Sequence, residues 1–352
     1  MRIGVPSETK TLEGRVALVP AACGDLVRAG HAVYLQAGAG RKSGFADEDF
    51  ERVGARILPD AAAVYEKAEL VVKVKEPIAG DLEHLRADHL LFCYLHLAAE
   101  PALTQRLLEI GLTGVAFETV EEVDGSLPLL APMSNIAGRI GVQVGTHLLH
   151  MPQGGRGVLL GGLPSADRGH VVVLGAGAAG GNAARLAAAA GARVTVFDRR
   201  QDRLAEMMAI GPNVTALYPY AETVGDMVAR ADMVIGAVLV TGARAPHVVT
   251  REMIAAMAEG SVVVDISVDQ GGCFETTRPT TYADPTYEVD GVIHFAVTNM
   301  PGAVPRTSSQ ALCAAILPYV QRMARPDWAD NPALLKGINL RAGEVVHPAL
   351  VA

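Results

Sequence analysis

Short apolar runs alternate with longer stretches of helical periodicity along the first third of the chain. Runs at 2–5, 32–36, 70–74, 90–95 and 112–117 have the length and composition of buried strands. Between them, 21–29, 47–53, 60–68 and 102–110 carry apolar residues at helical spacing. Such alternation predicts a parallel or mostly parallel sheet covered by helices. The breaker cluster Asp124-Gly125-Ser126-Leu127-Pro128 closes this segment. After Pro132, an apolar-periodic stretch to about Leu149 predicts a long helix with Ser134 near its start. A glycine-rich segment, 153–162, leads into further strand patterns at 171–174, 193–197, 214–217, 233–238, 261–266 and 292–297. A second long helix is predicted over 308–323. The tail from Arg325 has little periodicity, and its Gly337 and Gly343 suggest loops.

The most informative stretch runs from His170 to Asp198. Val171-Val172-Val173-Leu174 is followed by Gly175-Ala176-Gly177-Ala178-Ala179-Gly180, an alanine-rich helical pattern, and Arg193-Val194-Thr195-Val196-Phe197. A GxGxxG alone is a weak signal. This one follows a strand, opens a helix, and has the acid Asp198 placed 23 residues after its first glycine, which is the dinucleotide-binding fingerprint. In that reading Gly175 makes the tight turn. Gly177 admits a pyrophosphate to the helix N-terminus, where free N–H groups and the helix dipole favour anions. Gly180 allows close packing of helix on strand, and Asp198 takes the adenosine ribose hydroxyls. The bland alternative is a ligand-free glycine-rich βα turn, which leaves the joint spacing unexplained.

A length of 352 residues suggests about two domains, and the fingerprint begins near the middle. The predicted fold class is α/β, with two Rossmann-like domains of mostly parallel sheets joined by two long helices across a cleft. Residues 1–128 with 305–352 are expected to form a discontinuous first domain, and 129–304 the nucleotide-binding domain. Half the residues are hydrophobic and 19% are charged, as expected of a chain with a large core. A net charge of −8 argues against nucleic acid or an anionic membrane as partner. No apolar run is long enough for a spanning helix, and the N-terminus lacks a signal-peptide core. The four dispersed cysteines form neither a metal pattern nor a disulfide framework. These features predict a cytoplasmic protein with buried free thiols and no metal.

Ligands of open parallel sheets bind beyond the carboxyl ends of strands. Lys73 and Lys75, ahead of Glu76-Pro77, lie at such an end, as does His96 after the run at 90–95. By alternation Lys73 and Lys75 share a face, one at the strand rim and the other in the cleft. Arg15 follows a polar loop and suits bidentate binding of a carboxylate. Asp269 follows a strand of the nucleotide domain. Each also has a plainer reading: Lys75 and Arg15 as surface cations, His96 as a hydrogen-bonded core histidine, Asp269 as a turn residue. The pattern alone does not bring the four together.

Longer motifs go further. GVPSETK from Gly4, RVALVP from Arg15, QAGAG from Gln36, VKVKEP from Val72, LHLA from Leu95, LAPMSNIAGR from Leu130 and GGRGVLLG from Gly154 occur in the first half. The fingerprint is then followed by VIGAVLV from Val234, VDISVDQGGCF from Val264, RPTTY from Arg278 and NMP from Asn299. On these motifs the chain resembles the alanine dehydrogenase/pyridine nucleotide transhydrogenase family, nearly throughout to about residue 320. The resemblance implies that Arg15 and Lys75 hold the substrate carboxylate and carbonyl, with Met133 against the small substrate. It implies that His96 is the catalytic acid/base and Asp269 its partner. The implied NAD site is Ser134, Gly175, Gly177, Ala178, Ala179, Gly180, Asp198, Arg203, Val238, Leu239, Ile266, Ser267, Val268, Asp269, Arg278, Val297, Thr298, Asn299 and Met300.

The implied reaction is reversible oxidative deamination of L-alanine to pyruvate and ammonium by a homohexamer. The cofactor is expected to be NAD rather than NADP, because Asp198 repels a 2′-phosphate; Arg199, Arg200 and Arg203 pull the other way. Three departures stand out. A serine often present at the adenosine end is replaced near Pro219–Tyr220. Some relatives carry a Glu and His metal pair on the late helix, where this chain has Arg322 and Pro326. The tail is short for the family. The rival readings are a dehydrogenase of a larger amino acid, a soluble transhydrogenase-like nucleotide-binding subunit, and a non-catalytic nucleotide sensor.

Overall fold

The computed structural model describes residues 1–238 and 246–351. The chain divides into two compact units, Met1–Met133 with Gly302–Ala352, and Ser134–Pro301. In chain order the strands are β1 (Arg2–Val5), β2 (Ala32–Gln36), β3 (Arg56–Leu58), β4 (Leu70–Val72), β5 (Leu90–Cys93), β6 (Thr113–Ala116), β7 (His170–Leu174), β8 (Arg193–Phe197), β9 (Val214–Leu217), β10 (Met233–Gly236), β11 (Val262–Asp265), β12 (Thr286–Val289), β13 (Val292–Phe295), β14 (Ile338–Arg341) and β15 (Glu344–Val345).

The first unit is built on an eight-stranded sheet in the order β15-β14-β6-β5-β4-β1-β2-β3. Strands β1 to β6 run parallel. Helices such as Pro20–Arg28, Ala61–Lys67 and Pro101–Ile110 make the crossovers. Winding goes outward from β1 through β2 and β3, then returns to β4 on the other side. That reversal opens a crevice beyond the carboxyl ends of β1 and β4.

The second unit has a seven-stranded sheet in the order β12-β13-β11-β10-β7-β8-β9, antiparallel only at the β12–β13 pair. Its reversal lies between β7 and β10. Val171, Val172 and Val173 are fully buried, as helices on both faces of a parallel sheet require. The two long helices are Ala131–Leu148 and Pro305–Met323.

The structure departs from the pattern in two instructive ways. The tail is not loop. Gly337 ends the helix Pro332–Gly337, and Gly343 lies between β14 and β15, which extend the first sheet antiparallel from β6. Buried Asn339 stands where the β14–β6 register shifts; its Nδ2 donates to Thr119 Oγ1 at 2.7 Å and to the Gly337 carbonyl at 3.1 Å. Apolar periodicity does not report a strand with a polar residue at its centre. Second, the strands predicted at 70–74, 90–95, 233–238, 261–266 and 292–297 all end early, at Val72, Cys93, Gly236, Asp265 and Phe295. Beyond those points the first two, and the loop after Asp265, find side-chain carboxylates as acceptors for backbone N–H groups.

Helix packing in the second unit depends on one small residue. A Cβ at Gly138 would stand 2.1 Å from the Ala179 carbonyl oxygen. Gly138→Ala should therefore destabilise the protein, although helix propensity alone favours alanine by about 1 kcal/mol. Overpacking of about 1–3 kcal/mol should outweigh that gain and lower the thermal midpoint by several degrees. A raised midpoint in calorimetry would show that the two helices separate freely.

Buried imidazoles set a pH limit. Burial holds His89, His170 and His294 below the ordinary histidine range. The folded chain keeps them neutral while the unfolded chain takes up protons below about pH 6.5. Their contribution to stability is therefore present above that pH and lost on acidification. Denaturant midpoints should fall between pH 7.5 and 5.5. His170→Gln, able to keep the contact with Thr195 Oγ1, should flatten part of that slope. An unchanged slope would place the titration elsewhere.

Candidate functional site

In the first unit, the loops after β1, β4 and β5 carry the candidate residues. Arg15 is 2% exposed, so the surface reading of it does not hold. Its guanidinium makes a bidentate pair with buried Glu13, with Nε 2.7 Å from Oε1 and Nη2 on Oε2. Nη1 lies 3.1 Å from Met133 Sδ. Burial opposes the charge, but Glu13 more than offsets this and holds Arg15 above its ordinary pKa. A buried guanidinium beside a thioether is a confined anchor for a small carboxylate.

Lys73 and Lys75 have different surroundings. Lys73 is 1% exposed, with Nζ 3.3 Å from Asp81 Oδ2 and 3.6 Å from Glu8 Oε2. It is an interior ion-pair residue rather than a rim or cleft lysine. Lys75 is half-buried, and its backbone N–H donates to Glu8 Oε2 at 3.3 Å. The next residue, Glu76, is buried and paired with Lys10. Burial would raise its carboxyl, but Lys10, His96 and Lys75 together hold it below the ordinary range. Lys75, Glu76 and His96 are thus electrostatic neighbours.

His96 sits in the left-handed region at φ +50°, which few non-glycine residues adopt. Glu118 supports that conformation: its Oε1 accepts the His96 N–H at 2.6 Å and the Leu95 N–H at 3.1 Å. The imidazole stacks on Tyr94, with centroids 5.8 Å apart and 14° between planes, and Tyr94 Oη donates to the Leu129 carbonyl at 2.6 Å. Burial and Glu118 hold the Tyr94 phenol above its ordinary pKa, although Arg15 opposes them. The first unit therefore gathers Arg15, Met133, Lys75 and His96 around Tyr94, Glu76 and Glu8. A guanidinium, an amine and an imidazole at one sheet edge can bind a carboxylate, polarise an adjacent oxygen and move a proton.

In the second unit the fingerprint has the geometry its spacing predicts. Gly175 follows β7 at φ +95°, and a Cβ there would meet the Ala237 carbonyl at 2.5 Å. A Cβ at Gly180 would stand 1.7 Å from the Gly175 carbonyl, so only glycine fits. Among the described residues no side chain caps the helix Ala178–Ala189, which leaves its first turn able to receive an anion. Asp198, just past β8, accepts the Ala176 N–H on Oδ2 at 2.7 Å and the Arg200 N–H on Oδ1 at 2.8 Å. Beside this cradle is an open depression of about 270 Å³, lined by Gly177, Ala178, Asn135, Asn182, Arg185, Arg203 and Glu206 among others. Arg200 is paired with Asp202.

Most of the remaining predicted residues that are described follow strands β10, β11 and β13. Ser134 is in the helix Ala131–Leu148, half-buried. Val238 follows β10, and its carbonyl accepts from Ser267 Oγ at 2.8 Å; Leu239 lies outside the described residues. Ile266, Ser267, Val268 and Asp269 follow β11, with Asp269 exposed on the short helix Val268–Gln270. Buried Asp265 ties that loop together: it accepts the Ser267 N–H at 2.9 Å, the Cys273 N–H at 3.0 Å and the Thr277 hydroxyl. The Arg278 guanidinium stacks 4.2 Å over the Tyr287 ring. After β13, Val297 is buried, the Thr298 N–H donates to Thr280 O at 3.1 Å, Asn299 has φ +58° and the Met300 carbonyl accepts from Tyr282 Oη at 2.8 Å.

Sequence reasoning did not single out Glu8, Glu13, Glu118, Asn135, Asn182, Arg185 or Asp265. Glu13 had a visible signal, an acid two residues before Arg15. Glu8, Glu118, Asn135 and Asn182 are defined by contacts with residues distant in the chain.

Comparison with known proteins follows this geometry. Residues 4–137 match the family model "Alanine dehydrogenase/PNT, N-terminal domain", and residues 141–348 match the corresponding C-terminal domain. The chain is 48% identical over 355 residues to the alanine dehydrogenase of Halomonas elongata, covering 99% of this chain and 96% of that one. It is 49% identical over 351 residues to that of Mycobacterium tuberculosis, covering 98% and 95%. A solved L-alanine dehydrogenase structure matches with a TM-score of 0.97 at 48% identity, over 99% of this chain and 98% of that one. A transhydrogenase from Sinorhizobium meliloti matches with a TM-score of 0.87 at 26% identity, over 99% and 100%.

Proposed function

The chain belongs to the alanine dehydrogenase/PNT family, and from that premise we propose that it is an NAD-dependent L-alanine dehydrogenase. The observation that carries the reading is the placement of Arg15, Lys75 and His96 on the loops after the adjacent strands β1, β4 and β5, in a chain 48% identical to the alanine dehydrogenase of Halomonas elongata over nearly its whole length. The higher identity to those enzymes than to the transhydrogenase, 48% against 26%, favours a dehydrogenase over a transhydrogenase subunit. Among the described residues no helix is long and apolar enough to cross a membrane. The family premise also carries a homohexamer working in the cytoplasm.

L-alanine, NAD⁺ and water give pyruvate, ammonium, NADH and a proton. The nicotinamide, when bound, supplies a hydride acceptor. Gly175, Gly177, Ala178, Ala179, Gly180 and Asp198 would hold the dinucleotide, joined by Ser134, Arg203, Val238, Leu239, Arg278 and residues 266–269 and 297–300. The uncapped helix and the close glycines fit its pyrophosphate. Arg15 grips the substrate carboxylate, and Met133 limits the space beside it. Lys75 stabilises the oxygen that develops at Cα when water adds to the imine. His96 takes the proton from that water in deamination and returns it in the reverse direction. Asp269 is a second acid/base group in the same scheme.

The purified protein should form NADH from L-alanine and consume it with pyruvate plus ammonium. A larger amino acid preferred in a substrate panel would overturn the choice of alanine. His96→Ala and Lys75→Ala should each lose roughly 10²–10⁴-fold in rate in both directions while binding of NADH persists. Retention of near-normal turnover by both would remove the first unit's site from the mechanism.

NAD should be preferred to NADP by at least about tenfold in kcat/KM, because the Asp198 carboxylate disfavours a 2′-phosphate. Of the three arginines that follow it, Arg200 is paired with Asp202. Equal efficiency with both cofactors would mean that Arg199 or Arg203 governs the adenosine end.

A further inference from the structure

Lys75 stands beyond the end of β4, where the parallel ladder no longer supplies acceptors. Its N–H and that of Val74 must find partners elsewhere. Both find Glu8, which follows β1, the neighbour of β4. The Val74 N–H donates to Oε1 at 2.6 Å and the Lys75 N–H to Oε2 at 3.3 Å. A second carboxylate holds the other end of the same segment. Asp81 Oδ2 accepts the Ile78 N–H at 3.0 Å, and Oδ1 accepts from Tyr65 Oη at 2.8 Å. Between the two carboxylates lies one ammonium, Lys73, 3.6 Å from Glu8 and 3.3 Å from Asp81.

All three side chains are at least 95% buried, with exposures of 1% for Lys73, 4% for Glu8 and 5% for Asp81. Burying such a triad is poor value for stability, since well-packed apolar side chains of similar volume often do as well. What it provides is location. Residues 74–78 are fixed at both ends by carboxylates that share a cation, and Lys75 is the residue they carry. Burial raises the Glu8 carboxyl, and Lys73 opposes that rise.

We propose that Glu8 and Lys73 are positioning residues for Lys75, clamping the 74–78 segment so that the amine meets the substrate at a fixed place. The proposal rests on the reading of Lys75 as a substrate-binding residue. Lys73, on this account, touches no substrate and acts only through its two carboxylates.

Three variants test it: Glu8→Gln, Lys73→Met, and Leu26→Ala as a cavity control in the same unit, fully buried on the helix Pro20–Arg28. Circular dichroism gives the folded fraction, steady-state kinetics give kcat and KM for L-alanine, and exchange of the 74–78 amides is read by mass spectrometry with electron-transfer fragmentation. Glu8→Gln cannot accept both N–H groups, because one of its oxygens has become a donor. It should fold, lose roughly 10–100-fold in kcat/KM with a raised KM, and exchange faster at Val74 and Lys75 but not at Ile78. Lys73→Met should loosen both ends; should it fail to fold, Glu8→Gln alone decides. Leu26→Ala should lower stability with KM unchanged.

Wild-type kinetics and exchange in Glu8→Gln would overturn the proposal. An equal rise of KM in Leu26→Ala would overturn it too, by tracing the effect to stability. A wild-type protein that does not oxidise alanine would instead sink the functional reading, while the exchange pattern would still decide whether the clamp exists.

Discussion

Where a parallel strand leaves its sheet, its next backbone N–H groups lose their ladder acceptors, and a buried donor without an acceptor costs about as much as a lost hydrogen bond. The functional edges of both units are organised by that constraint. Four carboxylates meet it at four loops. Glu8 takes Val74 and Lys75, and Glu118 takes Leu95 and His96. Asp198 takes Ala176 and Arg200, and Asp265 takes Ser267 and Cys273. In each case a charged acceptor binds two N–H groups that would otherwise need water. The loops that carry the candidate chemistry are therefore tied by side-chain carboxylates: those after β4 and β5 by acids from other segments, the other two by acids that also close local turns, Asp198 on Arg200 and Asp265 on Ser267.

The glycines of the second unit satisfy a complementary demand. There the backbone must come close to other backbone, and a single Cβ would block it. The approach of the fingerprint helix to β7 is set by Gly180, and its contact with the helix Ala131–Leu148 by Gly138. Because both approaches are tight, the uncapped N-terminus at Ala178 is fixed against the sheet edge where Asp198 emerges. An anion site built from free N–H groups gains from such rigidity, since its donors need no reorganisation.

Buried charge in the first unit serves geometry in the same way. Arg15 with Glu13, and Lys73 with Glu8 and Asp81, are ion pairs taken almost wholly out of water. Desolvation makes each a weak contributor to net stability, yet removal of one partner would leave an unpaired interior charge. The arrangement therefore tolerates little change. It also separates two lysines adjacent in one motif: Lys73 is committed to the interior, while Lys75 sits half-buried at the loop it helps to define.

Much of this was legible in the residues. The alternation of apolar runs and helical periodicity identifies the α/β class, because a strand buried on both faces must be continuously apolar and a covering helix must be striped. The spacing of Gly175, Gly177, Gly180 and Asp198 locates the tight βα turn proposed to hold the dinucleotide, because Gly175 and Gly180 answer local steric demands and Asp198 accepts the Ala176 N–H. The long motifs around Arg15, Lys75 and His96 pointed to the family. What the pattern could not reach was set between distant segments. Strand ends were overextended at 70–74 and 90–95 because the carboxylates that replace the ladder, Glu8 and Glu118, come from other loops. The tail lacks a strand signal because β14 carries Asn339 at its centre and owes its strand form to pairing with β6. Lys73 and Lys75 look alike in a strand of alternating residues, and only the packing of Asp81 and Glu8 around one of them tells them apart. Local sterics and periodicity are written in neighbouring residues; the partner of a buried charge or of an orphaned N–H group is chosen by the tertiary fold.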